Sequence, residues 1–395
     1  MSTTTPPAGG NAGPLTGVRV LDFGRFIAGP FCAALLAEFG ADVIRVERPE
    51  GAEDRFLMPV TDDGTGALYL QMNRNKRSLA LDVTSDEGRA IVRRLLANTD
   101  VVVANLPPTT LRKMGLDYAT LSAIKPDIIL VNLSAYGQEG PWSTRPGFDS
   151  IGQVMCGGVY LSGEDGKPRR TQVNWVDHAT ATHAAFGTLL ALMERNLSGR
   201  GQEVTGALLN TALSAHAQPL VEQHLVASNR QPAGNRGIFT NPGDLFETRD
   251  GWLVLQAVGN PLFRRLAKLI DEPQWLDDPR FQDDEGRGAH GEELCERIAA
   301  WCAERTLDEA LDALAEARIP SAPVLSPAQS LAHPQVQATG MLQPMTIPGL
   351  DKDALLATAP VNLSRTPGSL RRPPPRLGEH NEEILAELER SEQAG

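Results

Sequence analysis

From Leu15 onward the chain alternates between short runs of consecutive apolar residues and longer stretches where apolar positions recur every three or four. Val18 to Phe23 is a run of the first kind, rich in β-branched residues, and leads into a loop, Gly24-Arg25-Phe26-Ile27-Ala28-Gly29. Pro30 stands where a first helical residue would, and Phe31, Ala34, Leu35 and Glu38 continue a helix to Gly40, a C′-type stop. Val43 to Val46 is a second strand. Thr84-Ser85-Asp86-Glu87 has the form of a capping box ahead of the stripe Ile91, Val92, Leu95 and Leu96. Val101 to Val103 and Ile128 to Leu133 supply two more strands. Strands alternating with helices predict an α/β fold: a Rossmann-like parallel sheet with helices on both faces.

Further along, Val173 to Val176 is a brief strand-like run, Asp177 follows it, and a helix is expected over Ala179 to Arg195, stopped by Asn196 to Gly201. A second helix is expected over about Leu208 to Ser228, then a Gly/Asn/Pro-rich loop from Pro232 to Pro242. The next residues read as a smaller α/β domain. Its parts are a strand at Trp252 to Val258, helices at Pro261 to Ile270, Glu293 to Glu304 and Leu307 to Ala315, and an edge strand or connector at Ile319 to Val324. A proline-rich, extended tail from Pro344 to Arg376 precedes a helix from Asn381 to Leu388. The expected organisation is a disordered leader over 1–14, a large domain from 15–205 and 330–395, a linker helix over 206–228, and a small α/β domain over 229–329.

Composition narrows the function. A chain of 395 residues exceeds one small core, and 41% hydrophobic with 22% charged residues is ordinary for a globular protein. A formal net charge of −12, without a basic stripe, argues against a nucleic-acid partner and requires a local basic pocket for any anionic ligand. Cys32, Cys156 and Cys295 read as reduced packing residues, and Cys302 is open. No apolar run reaches membrane-span length and the N-terminal residues lack signal-peptide character, so a cytoplasmic protein is expected. The first loop has the wrong spacing for GxGxxG, which disfavours nicotinamide and flavin cofactors; there is no Walker-A sequence. His178 and His183 lack an HExxH context, so no metal is expected.

In such sheets ligands lie beyond the carboxyl ends of the strands. Those ends carry Gly24-Arg25-Phe26, Glu47-Arg48, Asn105-Leu106-Pro107 and Ser134-Ala135-Tyr136. The guanidinium groups of Arg25 and Arg48 and the Asn105 amide suit phosphate and adenine recognition, or are solvated surface groups. Asp177 has two compatible readings. It is a favoured N-cap, and a carboxylate at a helix N-terminus is held ionised by free N–H groups and the helix dipole, the state a nucleophilic Asp needs.

One family carries many of these pieces in order. Gly17-Val-Arg-Val-Leu-Asp22 with Ala28-Gly29-Pro30, then Phe39-Gly-Ala-Asp-Val-Ile-Arg-Val-Glu-Arg-Pro49, Asn73-Arg-Asn-Lys-Arg-Ser78 with Leu81-Asp82, and Asp100-Val-Val-Val-Ala-Asn105 precede the Asp177 segment. Gly199-Arg-Gly-Gln202, Asp250-Gly-Trp252 and Leu377-Gly-Glu-His380 follow it. Over about its whole length the chain resembles a class III coenzyme A transferase, the formyl-CoA and carnitine CoA-transferase (CaiB/BaiF-like) group, which shares its fold with alpha-methylacyl-CoA racemases. The resemblance implies that Asp177 is a nucleophile passing through an acyl-Asp anhydride and an aspartyl-CoA thioester, with acyl-CoA and a free carboxylic acid as partners. It implies that coenzyme A is held by Arg25, Phe26, Ile27 and Ala28, by Arg48, and by Leu81, Asp82, Val83 and Thr84. Asn105, Leu106 and Pro107, the pair Arg112 and Lys113, and Gly147, Phe148, Asp149 and Ser150 complete that set. Several are the strand ends picked out above. Lys76 and Arg77 are phosphate contacts or a solvated turn. An interlocked homodimer is implied, with the active site between large and small domains.

Two departures from the family pattern stand out. The stretch matching the glycine-rich covering loop, Gly234 to Gly243, has fewer consecutive glycines. Racemases of this fold place a His base in Gly-His-Asp, where this chain has Gly147-Phe148-Asp149, and phenylalanine cannot take a proton. An epimerase and a non-catalytic CoA-binding protein remain the alternatives. Phe148, Trp142, Tyr136 and Phe239 are candidate pocket-lining residues, and Arg236 is a candidate partner for a dicarboxylate.

Overall fold

The computed structural model describes residues 13–237 and 241–393; most of the expected leader, and Phe239 in the expected covering loop, lie outside the described residues. Two compact units are present, one within Met1–Cys156, Thr171–Val221 and Gln337–Gly395, the other within Gly157–Arg170 and Glu222–Val336.

The first unit is built on a six-stranded sheet of order β3-β2-β1-β4-β5-β6. Its strands are β1 (Arg19–Asp22), β2 (Asp42–Glu47), β3 (Arg77–Ala80), β4 (Val101–Ala104), β5 (Ile129–Ser134) and β6 (Glu203–Ala207). All pairings are parallel. The unbroken Val101-Val-Val-Ala104 run follows from burial on both faces. Val101 and Val103 pack with the helices Ala28–Glu38 and Trp175–Ser198. Val102 and Ala104 pack on the opposite face with the helix Asp86–Leu96 and with Ile384 and Leu388 of the C-terminal helix Asn381–Gln393. The strand order reverses between β1 and β4, the switch point at which doubly wound sheets open a crevice.

Several local expectations are corrected. Two strands escaped the apolar pattern, β3 and β6. Pro30 is the third residue of its helix, which begins at Ala28. Ser85, not Thr84, caps the helix Asp86–Leu96 through the Gly88 N–H, and glycine at that position leaves no capping box. Val173 to Val176 forms no strand: Asn174 is the N-cap and Asp177 the third residue of a helix, Trp175–Ser198. The helix expected over Leu208 to Ser228 breaks at His216 into Leu208–Ala215 and Ala217–Val226. The proline-rich tail begins with an antiparallel hairpin, β10 (Leu342–Met345) and β11 (Ala354–Ala357).

The second unit holds a three-stranded antiparallel sheet, β7 (Gly243–Glu247), β8 (Trp252–Gln256) and β9 (Ser321–Pro323), with β9 at an edge. Helices Gly259–Leu269, Gly291–Ala303 and Leu307–Glu316 close over a core in which Phe263 stacks on Trp275 at 5.8 Å. Cys302 is buried in that core, with its thiol pushed up to about 11 by desolvation, which makes it a packing residue.

Candidate functional site

The loop after β1 is held by a set of buried charges. Asp22, at the end of β1, accepts the Gly24 N–H at 2.7 Å, and Arg45 of β2 donates to the Gly24 carbonyl at 2.9 Å. Arg45 Nη2 also donates to both carboxylate oxygens of Asp54, at 2.9 and 3.1 Å, and Asp54 in turn accepts the Phe26 N–H at 3.1 Å. From β4, across the switch point, Asn105 accepts the Arg25 N–H at 2.7 Å and donates to the Arg25 carbonyl at 2.8 Å. A Cβ on Gly29 would fall 2.9 Å from the Gly24 Cα, so the loop can close this tightly only over glycine. Phe26 is left at φ 61°, a left-handed conformation fixed by its neighbours on both sides.

Lys76 and Arg77 are neither a solvated turn nor presented to a ligand. The Lys76 ammonium is fully buried and donates to Asp22 at 2.7 Å, the Pro30 carbonyl at 2.8 Å and Asn73 at 2.9 Å. Desolvation, partly offset by Asp22, lowers its pKa to about 8. Arg77 is engaged by Asp42 and by Glu383 and Glu387 of the C-terminal helix. Their donors are spent on structure.

Beyond the loop the exposed residues differ in kind. Arg25 and Arg48 converge on one carboxylate, Glu53, with the Arg48 contact at 3.0 Å. Past the end of β3, Leu81 and Val83 are half-buried, while Asp82 and Thr84 are exposed, and Asp82 accepts both the N–H and the hydroxyl of Thr84 at 2.9 and 2.6 Å. After β4, Leu106 is half-buried and Pro107 exposed, and they lead into the helix Pro108–Met114, whose last turn carries Arg112 and Lys113 on the surface. Ile27 and Ala28 are buried in the core. Trp142 and Tyr136 meet edge to face at 5.5 Å, under the Arg145 guanidinium. Arg236 is half-buried in the second unit.

The first loop reaches the segment Gly147 to Ser150 through aromatic contact: Phe26 and Phe148 meet edge to face at 5.2 Å. Phe148 is the N-cap residue of the helix Asp149–Met155, and Ser150 is half-buried in its first turn. Gly152 lets this helix press on its neighbours, because a Cβ there would stand 2.7 Å from Val176 and 3.0 Å from the Leu208 carbonyl. That close approach brings Asp149 to Asp177, whose main-chain N–H donates to Asp149 Oδ1 at 2.9 Å.

Asp177 is 8% exposed. Its pKa is raised to about 7, first by desolvation and then by the charge of Asp149. This corrects the expectation that the helix terminus would hold it firmly ionised. Burial and a like charge outweigh the dipole, whose worth at a helix terminus is only about 0.3–2 kcal/mol. His178 is tied back by Nδ1 to the Asn174 carbonyl at 2.8 Å, and its ring packs on Phe31. Thr180, one turn further on, donates its hydroxyl to Thr211 at 2.8 Å.

Arg25, Phe26, Asn105, Phe148, Asp149 and Asp177 are therefore linked by direct contacts into one chain running from the switch point to the buried carboxylate. Arg48 and Leu81 to Thr84 stand at neighbouring strand ends, and Arg112 and Lys113 in the last turn of the helix that follows β4. The supporting residues Asp54, Arg45 and Gln153 escaped the sequence reading. A signal existed for one of them: an arginine inside the apolar strand Asp42-Val-Ile-Arg-Val-Glu47 is costly unless paired. Among the described residues no cluster of His, Cys, Asp or Glu could hold a metal, and no helix is long and apolar enough to cross a membrane.

Comparison with known proteins bears on what this arrangement does. Residues 15–381 match the model of CoA-transferase family III. A succinyl-CoA–D-citramalate CoA-transferase of Chloroflexus aurantiacus is 36% identical over 98% of this chain and 96% of that protein. A succinate–glutarate CoA-transferase of Agrobacterium fabrum is 35% identical over 95% of this chain and 96% of that protein. Among solved structures, a CAIB/BAIF family protein from Brucella suis superposes with a TM-score of 0.82 at 32% identity, covering 95% of this chain and all of that one.

Proposed function

Because the chain belongs to CoA-transferase family III and is a class III CoA-transferase, we propose that it moves coenzyme A from a dicarboxylyl-CoA, succinyl-CoA first among candidates, to a carboxylic acid acceptor through covalent intermediates on Asp177. The observation that carries this reading is the placement of Asp177, a buried carboxylate with little hydration to lose, at the end of a contact chain that begins at the switch point. The names of the relatives support the substrate class. Arg25, Phe26, Ile27, Ala28, Arg48, Asn105, Leu106, Pro107 and the strand end Leu81 to Thr84 are the proposed coenzyme contacts, with Arg112 and Lys113 as outer phosphate groups. The phosphates would displace Glu53 from the two guanidinium groups.

In the first step an Asp177 oxygen attacks the thioester carbonyl carbon, the C–S bond breaks, and the charge leaves on the CoA thiolate; the product is a mixed anhydride. The thiolate then attacks the Asp177 carbonyl and expels the donor acid as a carboxylate, leaving an aspartyl-CoA thioester. The acceptor carboxylate repeats the two steps in reverse. No proton is consumed, and no nucleotide is needed because the thioester is conserved. Both intermediates hydrolyse in water, so a buried Asp177 serves the chemistry directly. A second copy of the chain is part of the proposal. Phe186, Leu190, Met193 and Leu197 recur at helical spacing along Trp175–Ser198 and are 60, 49, 65 and 90% exposed, a stripe that an interlocked homodimer would cover.

The test is isotope exchange. Labelled succinate should enter succinyl-CoA in the presence of wild-type protein, and Asp177→Asn should abolish exchange while CoA affinity stays within a few-fold. Exchange at wild-type rate by Asp177→Asn would overturn the proposal.

A further inference from the structure

Two carboxylates are buried together at the start of the long helix, and the reaction above uses one. Asp149 is 4% exposed. Its Oδ1 accepts the Asp177 N–H at 2.9 Å, and its Oδ2 accepts the amide of Gln153, which also donates to the Val173 carbonyl at 3.2 Å. A carboxylate so enclosed is poorly placed to contact a coenzyme, whose phosphates its charge would repel.

Among the described residues, the elements packed around the pair supply no cation that neutralises it. Among the described residues neither Asp149 nor Asp177 forms an ion pair. On the long helix itself, His178 is tied to Asn174 and Arg195 to Asp100; His183 and Glu194 lie further along. The helix Ala28–Glu38 offers Cys32, whose thiol burial raises, and Glu38, paired with Arg74. The strand β6 brings Glu203, which accepts from Asn132. The strand β5 and the helix Leu208–Ala215 carry no charged residue.

We propose that Asp149 is a positioning residue for the transfer: it fixes the main chain of Asp177, and its charge destabilises the free Asp177 carboxylate relative to the acylated form. The balance of the first step shows why this matters. When Asp177 attacks the thioester, its negative charge ends on sulfur, and the acylated Asp177 beside Asp149 is neutral. Repulsion present before the step is absent after it, so covalent attachment becomes more favourable. The same repulsion acts whether the group attached is an acyl chain or coenzyme A. This inference rests on the reading of Asp177 as the nucleophile.

Asp149→Asn separates charge from geometry. The amide oxygen can still accept the Asp177 N–H, and Gln153 can turn its own oxygen toward the new amide. The measurement is the rate of Asp177 acylation in the intact enzyme, by rapid quench and peptide mass spectrometry across pH, with acetyl-CoA, succinyl-CoA and benzoyl-CoA as probes. Wild type should lose acylation as pH falls through neutrality. Asp149→Asn should move that limb down by about one pH unit or more, and above pH 8 should acylate roughly tenfold less than wild type. Asp149→Ala should be slower again, having lost the acceptor too. Should the asparagine variant fail to fold, Asp149→Ser offers an uncharged acceptor and the same expected shift. A variant with the wild-type limb, whether equally fast or slower by one factor at every pH, overturns the proposal. Absence of label on the wild-type Asp177 peptide overturns instead the nucleophile reading beneath it.

Discussion

Two groups of buried carboxylates in the protein are treated in opposite ways. Around β1 and β2, each of Asp22, Glu47 and Asp54 is matched by a buried cation: Lys76 for Asp22, Arg55 for Glu47, Arg45 for Asp54. At the start of the long helix, Asp149 and Asp177 lie together, and among the described residues neither has one. Pairing makes the first cluster a rigid frame, which also hydrogen-bonds the main chain at Gly24, Phe26 and Pro30. Leaving the second pair unmatched raises the energy of the free carboxylate, which suits a group that must form and release bonds. Burial alone does not distinguish frame from reagent; the sign of the neighbouring charge does.

The comparison can be broken at its reactive end first. Asp177→Ala should lower turnover by roughly four orders of magnitude or more, measured as label exchange, because the carboxylate that carries both proposed covalent intermediates is gone.

Next is the frame. Asp54→Ala leaves the Arg45 charge buried without its hydrogen-bonded partner and removes the acceptor of the Phe26 N–H, so denaturant unfolding should show a loss of about 3–5 kcal/mol. If that variant unfolds like wild type, the cluster is not the frame described here.

Removing the charge should change stability with opposite sign in the two places. The folded-state pKa of Asp177 lies above its unfolded value, so its contribution is intact below the unfolded pKa and is lost as pH rises through about 7. Asp177→Asn should therefore be more stable than wild type at pH 8, by up to a few kcal/mol, with the advantage shrinking toward pH 4. Asp54→Asn should be less stable than wild type at pH 8. A like sign for both variants would contradict the distinction.

The smallest effect is expected at the exposed pair on Glu53. Arg48→Ala should weaken CoA binding by roughly three- to tenfold at low salt and less at high salt, with unchanged melting, because its ion pairs are solvent-screened.

How much of this could be read from the sequence depended on whether the partners were local. The strands β1, β2, β4 and β5 were legible because both faces of each are buried, and apolar runs survive any choice of neighbours. The strand β3 was not: Asn73-Arg-Asn-Lys-Arg-Ser78 looks hydrated, and is buried because Glu38, Asp22, Asp42 and the C-terminal helix bring matching groups from elsewhere in the chain. The strand β6 has a single buried residue, Ala207, too little for an apolar signature. Arg25 and Asn105 were marked by strand-end position, and their mutual hydrogen bonds follow from the β1–β4 reversal. Asp177 was marked by family resemblance and by its place at a helix start. Its pairing with Asp149, 28 residues earlier, depends on the close approach at Gly152, which no local pattern announces.

The most direct examination of Asp177 is its mass. Wild-type protein incubated with succinyl-CoA and quenched with hydroxylamine should yield a hydroxamate on the peptide containing Asp177, absent from Asp177→Asn. Brisk exchange of label with that peptide unmodified under every quench would show that coenzyme A passes between acids without touching this side chain.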